Sequence, residues 1–323
     1  TTMITIYVHR NGETDRVPRV EPQWLDLTSN VVLWVDLAAP TPDEARVLTD
    51  VFHFHPLSVE DALSEIHWPK VEQYPGYLYL ILHGIDFDHA EREFATSDVD
   101  FFLGRNYLVT VHDGHSRSIA KLQMICDQHE HVLAEGPAAV MHRIIDSMVE
   151  NYRPEIDALE ERIDELEEEA IVGQKADLMG SILAVKRDLA SLRRVVIPQR
   201  DVVGRLARRE FPLINDEITY RFRDLYDQFV RLSDEAILFQ DRITGVLEAH
   251  LSSVSNRLNV VVKVLTVIST IFLPLTVLTG MWGMNVPLPM FPGGETVQFW
   301  WVGAMIAAIA GLMLLLFRLN RWI

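Results

Sequence analysis

Two apolar stretches near the C-terminal end constrain this chain more than any other feature. The first runs from about Val260 to Trp282 and the second from about Phe299 to Phe317. Each approaches the roughly 20 residues that a helix needs to cross the hydrocarbon core of a bilayer. The link between them, residues 283–298, contains no Lys or Arg and one acid, Glu295. Arg257 and Lys263 stand at the entry to the first stretch, and Arg318 and Arg321 follow the second. The positive-inside rule then predicts cytoplasmic N- and C-termini and a short external link. The chain reads as a two-pass membrane protein with a large internal portion.

The net charge of −17 argues against a nucleic-acid partner, because little here could neutralise a phosphate backbone. It favours solubility and attraction of cations, although a solvated acidic surface accounts for it equally well. Cys126 is the only cysteine, so no intrachain disulfide forms and a reducing compartment is expected. The N-terminal run from Met3 to Val8 alternates like a strand and does not read as a signal peptide.

Residues 1–137 are expected to form a cytoplasmic α/β domain. Val31–Asp36, Tyr77–Leu82, Val99–Leu103 and Tyr107–Val111 are β-rich runs, and helices are expected near Thr41–Pro42 and after Pro56. Residues 138–257 are expected to be helical. Ile144, Met148, Tyr152, Ile156, Leu159, Ile163 and Leu166 recur at steps of three and four, and the pattern resumes after Gly173 with Leu178, Ile182, Val185, Leu189 and Leu192. Two antiparallel helices joined at Gly173 fit this spacing. A third helix is predicted to start near Asp216 and to continue without a break through residues 258–282, the first span. It would be on the order of 100 Å long and would need neighbours, most simply further copies of itself. The fold class is thus α+β: a mixed domain, a long helical stalk, and two C-terminal membrane helices spanning residues 258–282 and 299–317. A basic tail, residues 318–323, ends the chain.

The first span is not uniformly apolar. Asn259, Val262, Thr266, Ser269, Leu273, Thr276 and Gly280 fall on one helical face that is smaller and more polar than the rest. Such a face serves either as a tight helix–helix seam or as the lining of an ion path that holds hydrated ions weakly. Pro274 loosens the helix in mid-span. Two spans cannot enclose a channel within one chain, so the second reading demands several copies around an axis.

Gly280-Met281-Trp282-Gly283-Met284-Asn285, closing the first of two C-terminal spans, resembles the Gly-Met-Asn motif of the CorA family of Mg²⁺ channels. Tyr220–Asp227, Leu251–Asn256, Phe272–Thr276, His55–Ala62 and Pro69–Glu72 are similarly placed, so the likeness covers nearly the whole chain. It implies a funnel-shaped homopentamer in the bacterial inner membrane, with first spans lining the pore and second spans forming an outer ring. Gly283, Met284 and Asn285 then form the external mouth. Asn259, Val262, Leu265, Ser269, Leu273 and Thr276 line the pore, largely the face that periodicity had singled out. Regulatory Mg²⁺ between protomers is assigned by the same likeness to Asp88 and Asp224, with Asp227 assisting and Glu248 nearer the membrane. Bound Mg²⁺ would screen repelling acids and hold the ring closed.

After Asn285 the sequence departs from the Mg²⁺ members, which carry a Met-Pro-Glu-Leu loop. Here the chain reads Val286-Pro287-Leu288-Pro289-Met290-Phe291-Pro292-Gly293-Gly294-Glu295, with Glu295 as the loop's acid at a different spacing. Zn²⁺ transport on the same architecture is therefore the alternative to Mg²⁺, with Co²⁺ and Ni²⁺ as accompanying ions. His53, His55, His67, His112 and His115 show no transition-metal spacing, and no nucleophile elbow, phosphate loop or zinc-protease motif is present. Enzyme chemistry is not expected. A membrane-anchored coiled-coil scaffold is the remaining non-transport reading.

Overall fold

The structure is a computed structural model describing residues 4–64, 68–88, 93–128, 131–172, 177–284, 294–320 and 322; for 86–88, 93–96, 171–172 and 295–296 it describes the backbone. The chain divides into two compact units, Thr1–Leu247 and Glu248–Ile323.

The first unit is built on a seven-stranded sheet. Its strands are β1 (Ile4–Arg10), β2 (Glu13–Val17), β3 (Val32–Ala38), β4 (Lys70–Tyr74), β5 (Tyr77–Asp88), β6 (Glu93–Gly104) and β7 (Tyr107–His112). Their order is β2-β1-β3-β7-β6-β5-β4. The β3–β7 pair is parallel and the other pairs are antiparallel. Between β3 and β7 the chain makes the long excursion that a parallel neighbour requires.

Both faces of the sheet are covered, which explains its nearly continuous apolar runs. Along β5, Tyr77, Tyr79 and Ile81 join a cluster with Phe52 and Phe54, around the short helices α1 (Arg46–Asp50) and α2 (Pro56–Ala62). The alternate residues Leu78, Leu80 and Leu82 join the larger cluster beneath the long helices. A period of two therefore sends successive side chains into different cores. One buried acid is tolerated at the sheet's centre because it is saturated with donors. Asp36 accepts from Thr110 Oγ1 at 2.5 Å and Gln123 Nε2 at 2.8 Å, and His112 Nε2 lies 3.4 Å away.

The longer helices of this unit are α3 (Arg117–Asp127), α4 (Pro137–Glu150), α5 (Tyr152–Val172), α6 (Leu178–Leu206) and the first part of α7 (Asp216–Trp282). Ile156, Leu159, Ile163 and Leu166 on α5, Ile182, Val185, Leu189 and Leu192 on α6, and Phe222, Leu225, Phe229 and Ile243 on α7 share one core. Arg162 Nη1 meets Asp188 at 2.8 Å, in the register of an antiparallel α5–α6 hairpin. Arg242 on α7 reaches Glu167 at 2.9 Å and also contacts Asp164 on α5. Apolar stripes decide the packing, while the arginines tie the acid-rich α5 to its neighbour.

The second unit contains the C-terminal part of α7 and α8 (Glu295–Leu319). Both are long and apolar enough to span a bilayer, with almost no buried surface in that window. On α7 the less exposed positions are Lys263, Val267, Ile271, Pro274, Leu275, Leu278 and Trp282, one line at steps of three and four. On α8 they are Gln298, Val302, Met305, Ile306, Ile309, Ala310, Met313 and Phe317. Lys263 Nζ stands 6.0 Å from the centre of the Trp322 ring, linking the start of one span to the segment after the other.

The helix expected near Thr41 starts later, at Arg46. Thr41 and Glu44 form a reciprocal capping pair, with Thr41 N–H donating to Glu44 Oε2 at 2.9 Å. The intervening residues make three-residue turns, so regular α geometry begins only at Arg46. Strands β2 and β4 and helix α3 were not anticipated. Gly173 lies outside the described residues.

Candidate functional site

The six positions assigned to an ion path, Asn259, Val262, Leu265, Ser269, Leu273 and Thr276, are all exposed on α7. At 100° per residue they lie opposite the line running through Val267, Ile271, Pro274 and Leu278. Within the second unit, then, α8 and the assigned positions fall on different sides of α7.

The threonine hydroxyls along this span are spent inward. Thr276 Oγ1 donates to the Phe272 carbonyl at 2.8 Å, and Thr266 Oγ1 donates to the Val262 carbonyl at 2.7 Å. A threonine so bonded has given away its only donor and presents lone pairs to its surroundings. Water bound to a cation offers hydrogens outward, so an acceptor-only surface suits a hydrated ion. Pro274 lacks an N–H, which leaves the Thr270 carbonyl without its helical donor.

The helix ends at the family motif. Gly283 N–H bonds to the Thr279 carbonyl at 3.0 Å, and a Cβ at 283 would sit 3.2 Å from that same oxygen. A residue with a side chain would crowd this turn. Met284 is exposed. Asn285 lies outside the described residues, as does the side chain of Glu295.

The assigned regulatory acids are dispersed along the chain. Asp88 ends β5 opposite Glu93, and its side chain lies outside the described residues. Asp224, Asp227 and Glu248 are exposed on α7. Asp224 accepts from Gln228 Nε2 at 3.1 Å. Among the described residues, no three His, Cys, Asp or Glu side chains stand together as a metal cage within one chain.

One acid missed by sequence reasoning stands in the field of Asp224. Asp146, on α4, is half-buried, and burial raises its pKa above the usual carboxylate range. Glu150 and Asp224 push it up further, against the opposing pull of His142. The signal was an aspartate inside the apolar pattern Ile144, Ile145, Met148. Oxygen donors under mutual repulsion suit a hard dication such as Mg²⁺.

Residues 29–319 match the family described as CorA-like Mg²⁺ transporter protein. The cobalt/magnesium transport protein CorA of Thermotoga maritima is 30% identical over 91% of this chain and 84% of its own length. The zinc transport protein ZntB of Pectobacterium carotovorum is 23% identical over 97% of this chain and 91% of its own. Among solved structures, the complete CorA magnesium transporter of Methanocaldococcus jannaschii superimposes with a TM-score of 0.84 at 22% identity, covering 100% of this chain and 99% of that one. The α/β unit, the uninterrupted α7, the two apolar spans and these matches together establish that the chain belongs to the CorA family and is a two-pass divalent-cation transporter.

Proposed function

We propose that the protein is a Mg²⁺ channel that also passes Co²⁺ and Ni²⁺, assembled as a homopentamer in the bacterial inner membrane with both termini in the cytoplasm. The observation that carries this reading is the exposed face of α7 with Asn259, Val262, Leu265, Ser269, Leu273 and Thr276, opposite the line of its less exposed residues. Copies arranged around an axis cover that face and enclose a path that one chain cannot. Leu265 and Leu273 form apolar constrictions that close by dewetting, and Asn259 and Thr276 supply neutral oxygens to a hydrated ion. At the external mouth, Gly283, Met284 and the Asn285 amide receive the ion with its water shell, since Mg²⁺ dehydrates reluctantly. Inward movement needs no ATP, because a divalent ion crossing 100 mV gains about 4.6 kcal/mol, twice the single-charge figure.

Internal Mg²⁺ closes the pore. Asp88 and Asp224 of adjacent copies, with Asp146 and Asp227 nearby and Glu248 closer to the membrane, repel one another when bare. A dication between them holds the ring together. Its loss frees the protomers to tilt and the constriction to hydrate.

The test is uptake into proteoliposomes carrying Mg²⁺- and Zn²⁺-sensitive dyes, under an interior-negative potential and, separately, a pH gradient. Voltage-driven Mg²⁺ entry that disappears in Asn285→Ala supports the proposal. Zn²⁺ entry requiring the proton gradient would select the second reading, which the ZntB relative and the altered loop after Asn285 favour. No flux of either ion would overturn both.

A further inference from the structure

A cavity of about 400 Å³ lies in the first unit between the end of α6 and the early turns of α7. Gly204, Arg208, Arg209, Arg223, Tyr226 and Asp227 contribute to its lining. Three guanidinium groups face a single carboxylate here, in a chain where 46 acidic residues outnumber 29 basic ones. Two of the three, Arg208 and Arg223, have no carboxylate partner within ion-pair distance among the described residues.

The third arginine is held in place. Arg209 sits in the left-handed region at φ 60°, a conformation that a bulky residue adopts at a cost. Its guanidinium meets Asp216 at 3.2 Å and donates to the Tyr220 hydroxyl at 3.2 Å. Arg209 and Arg223 also lie within 5.7 and 5.4 Å of the Tyr220 ring centre. One aromatic ring therefore fixes two arginines beside the cavity. Gly204 allows close packing at its base, where a Cβ would meet the Tyr226 ring at 3.0 Å.

We propose that this cavity binds a phosphate-bearing small molecule, with a nucleoside di- or triphosphate the best match. Arginine forks pair bidentately with phosphate oxygens, and the cavity volume falls in the range of small-molecule sites. Tyr226 gives an aromatic wall for a base. Asp227 repels bare phosphate and suits a phosphate chain that already carries a divalent cation. None of the ion-path residues lines the cavity; Asp227, counted among the regulatory acids in the proposed function, is shared, and the proposal stands on the arginines whether or not that acid meets Mg²⁺.

The experiment is calorimetric titration of the full-length protein in detergent with ATP, tripolyphosphate and adenosine, each with equimolar Mg²⁺, and with Mg²⁺ alone subtracted. ATP and tripolyphosphate bind saturably and adenosine does not. Tighter binding of ATP identifies a nucleotide as the ligand, and equal binding identifies the phosphate chain. Arg208→Ala/Arg223→Ala weakens binding at least about tenfold with an unchanged melting temperature, and Arg208→Lys weakens it less. Arg187→Ala, on an exposed part of α6, leaves it unaltered. Absence of binding up to about 1 mM, or equal affinity in the double variant, would overturn the proposal.

Discussion

Gln199 and Tyr152 together complete an unfinished edge of the sheet. The Gln199 amide donates to the Tyr152 hydroxyl at 2.7 Å, and its oxygen accepts the His83 backbone N–H at 3.0 Å. The Tyr152 hydroxyl donates in turn to the His83 carbonyl at 2.8 Å. Strand β4 pairs with β5 only as far as Lys70 opposite Ile81, so the outward N–H and C=O of His83 have no strand partner. Two side chains from α5 and α6 take the place of the missing strand. They anchor to the helices the strand that leads toward Asp88.

Tyr152→Phe tests this anchor. The change leaves the His83 carbonyl and a Gln199 N–H unsatisfied in a buried site, costing about 1–3 kcal/mol. Thermal unfolding of the detergent-solubilised protein reads it as a lower melting temperature. An unchanged melting temperature would mean that the three-way bond contributes nothing net.

Asp100 gives the fold a pH dependence of definite sign. Burial, reinforced by Asp98 and Asp61, pushes its pKa up to about 8 from the ordinary 3.8, against the bond from the Tyr79 hydroxyl at 2.5 Å. The unfolded chain releases this proton first, so the contribution to stability declines as pH rises from about 4 through 8 and is constant below that window. Asp100→Asn, which keeps the acceptor for Tyr79, flattens the melting-temperature profile across the same window. A profile that keeps its slope would assign the dependence to other groups.

Arg242 bridges α7 to Glu167 and Asp164, and its side chain is 25% exposed. Arg242→Ala leaves those acids facing one another and lowers stability by roughly 1 kcal/mol at low salt. The difference shrinks as ionic strength screens the pair. Denaturant titrations of both proteins at two salt concentrations measure it. A salt-independent loss would point to packing of the arginine stem instead.

Asp224→Lys puts a cation into the acidic field around Asp146. It is expected to lower the raised Asp146 pKa, and, on the regulatory reading proposed above, to reduce any protection from proteolysis that Mg²⁺ gives the first unit. Limited digestion with and without Mg²⁺ reads the effect, and an identical pattern in variant and wild type would remove Asp224 from the regulatory set.

At Leu273 the expectation concerns closure. On the proposed function, Leu273→Ser is expected to wet the constriction and let ions pass at high internal Mg²⁺, the condition under which the proposal has the unaltered protein closed. Uptake into Mg²⁺-loaded proteoliposomes is the measurement, and flux no greater than in the wild type would place the gate elsewhere.

Much of the architecture follows from local pattern alone. Apolar steps of three and four along Ile156–Leu166 and Phe222–Ile243 fix those helices, because a helix with one apolar stripe has one way to bury it. The two apolar spans are legible for the same reason: bilayer thickness acts on each segment independently. Strand β4 escaped notice because Lys70–Tyr74 has Val71 as its single fully buried residue. A strand of that composition exists because β5 offers it a ladder. Asp146 escaped notice because an acid in an apolar stripe gains meaning only when another helix brings Asp224 within its field. The same holds for His83 with Gln199, 116 residues apart, and for Arg208 with Arg223 across two helices. Sequence by itself determined the long helices, the strongly apolar strands and the two spans, since their patterns depend on neighbours a few residues away. Tertiary structure alone decided which charges meet, because Coulomb and hydrogen-bond energies depend on distances that only packing sets.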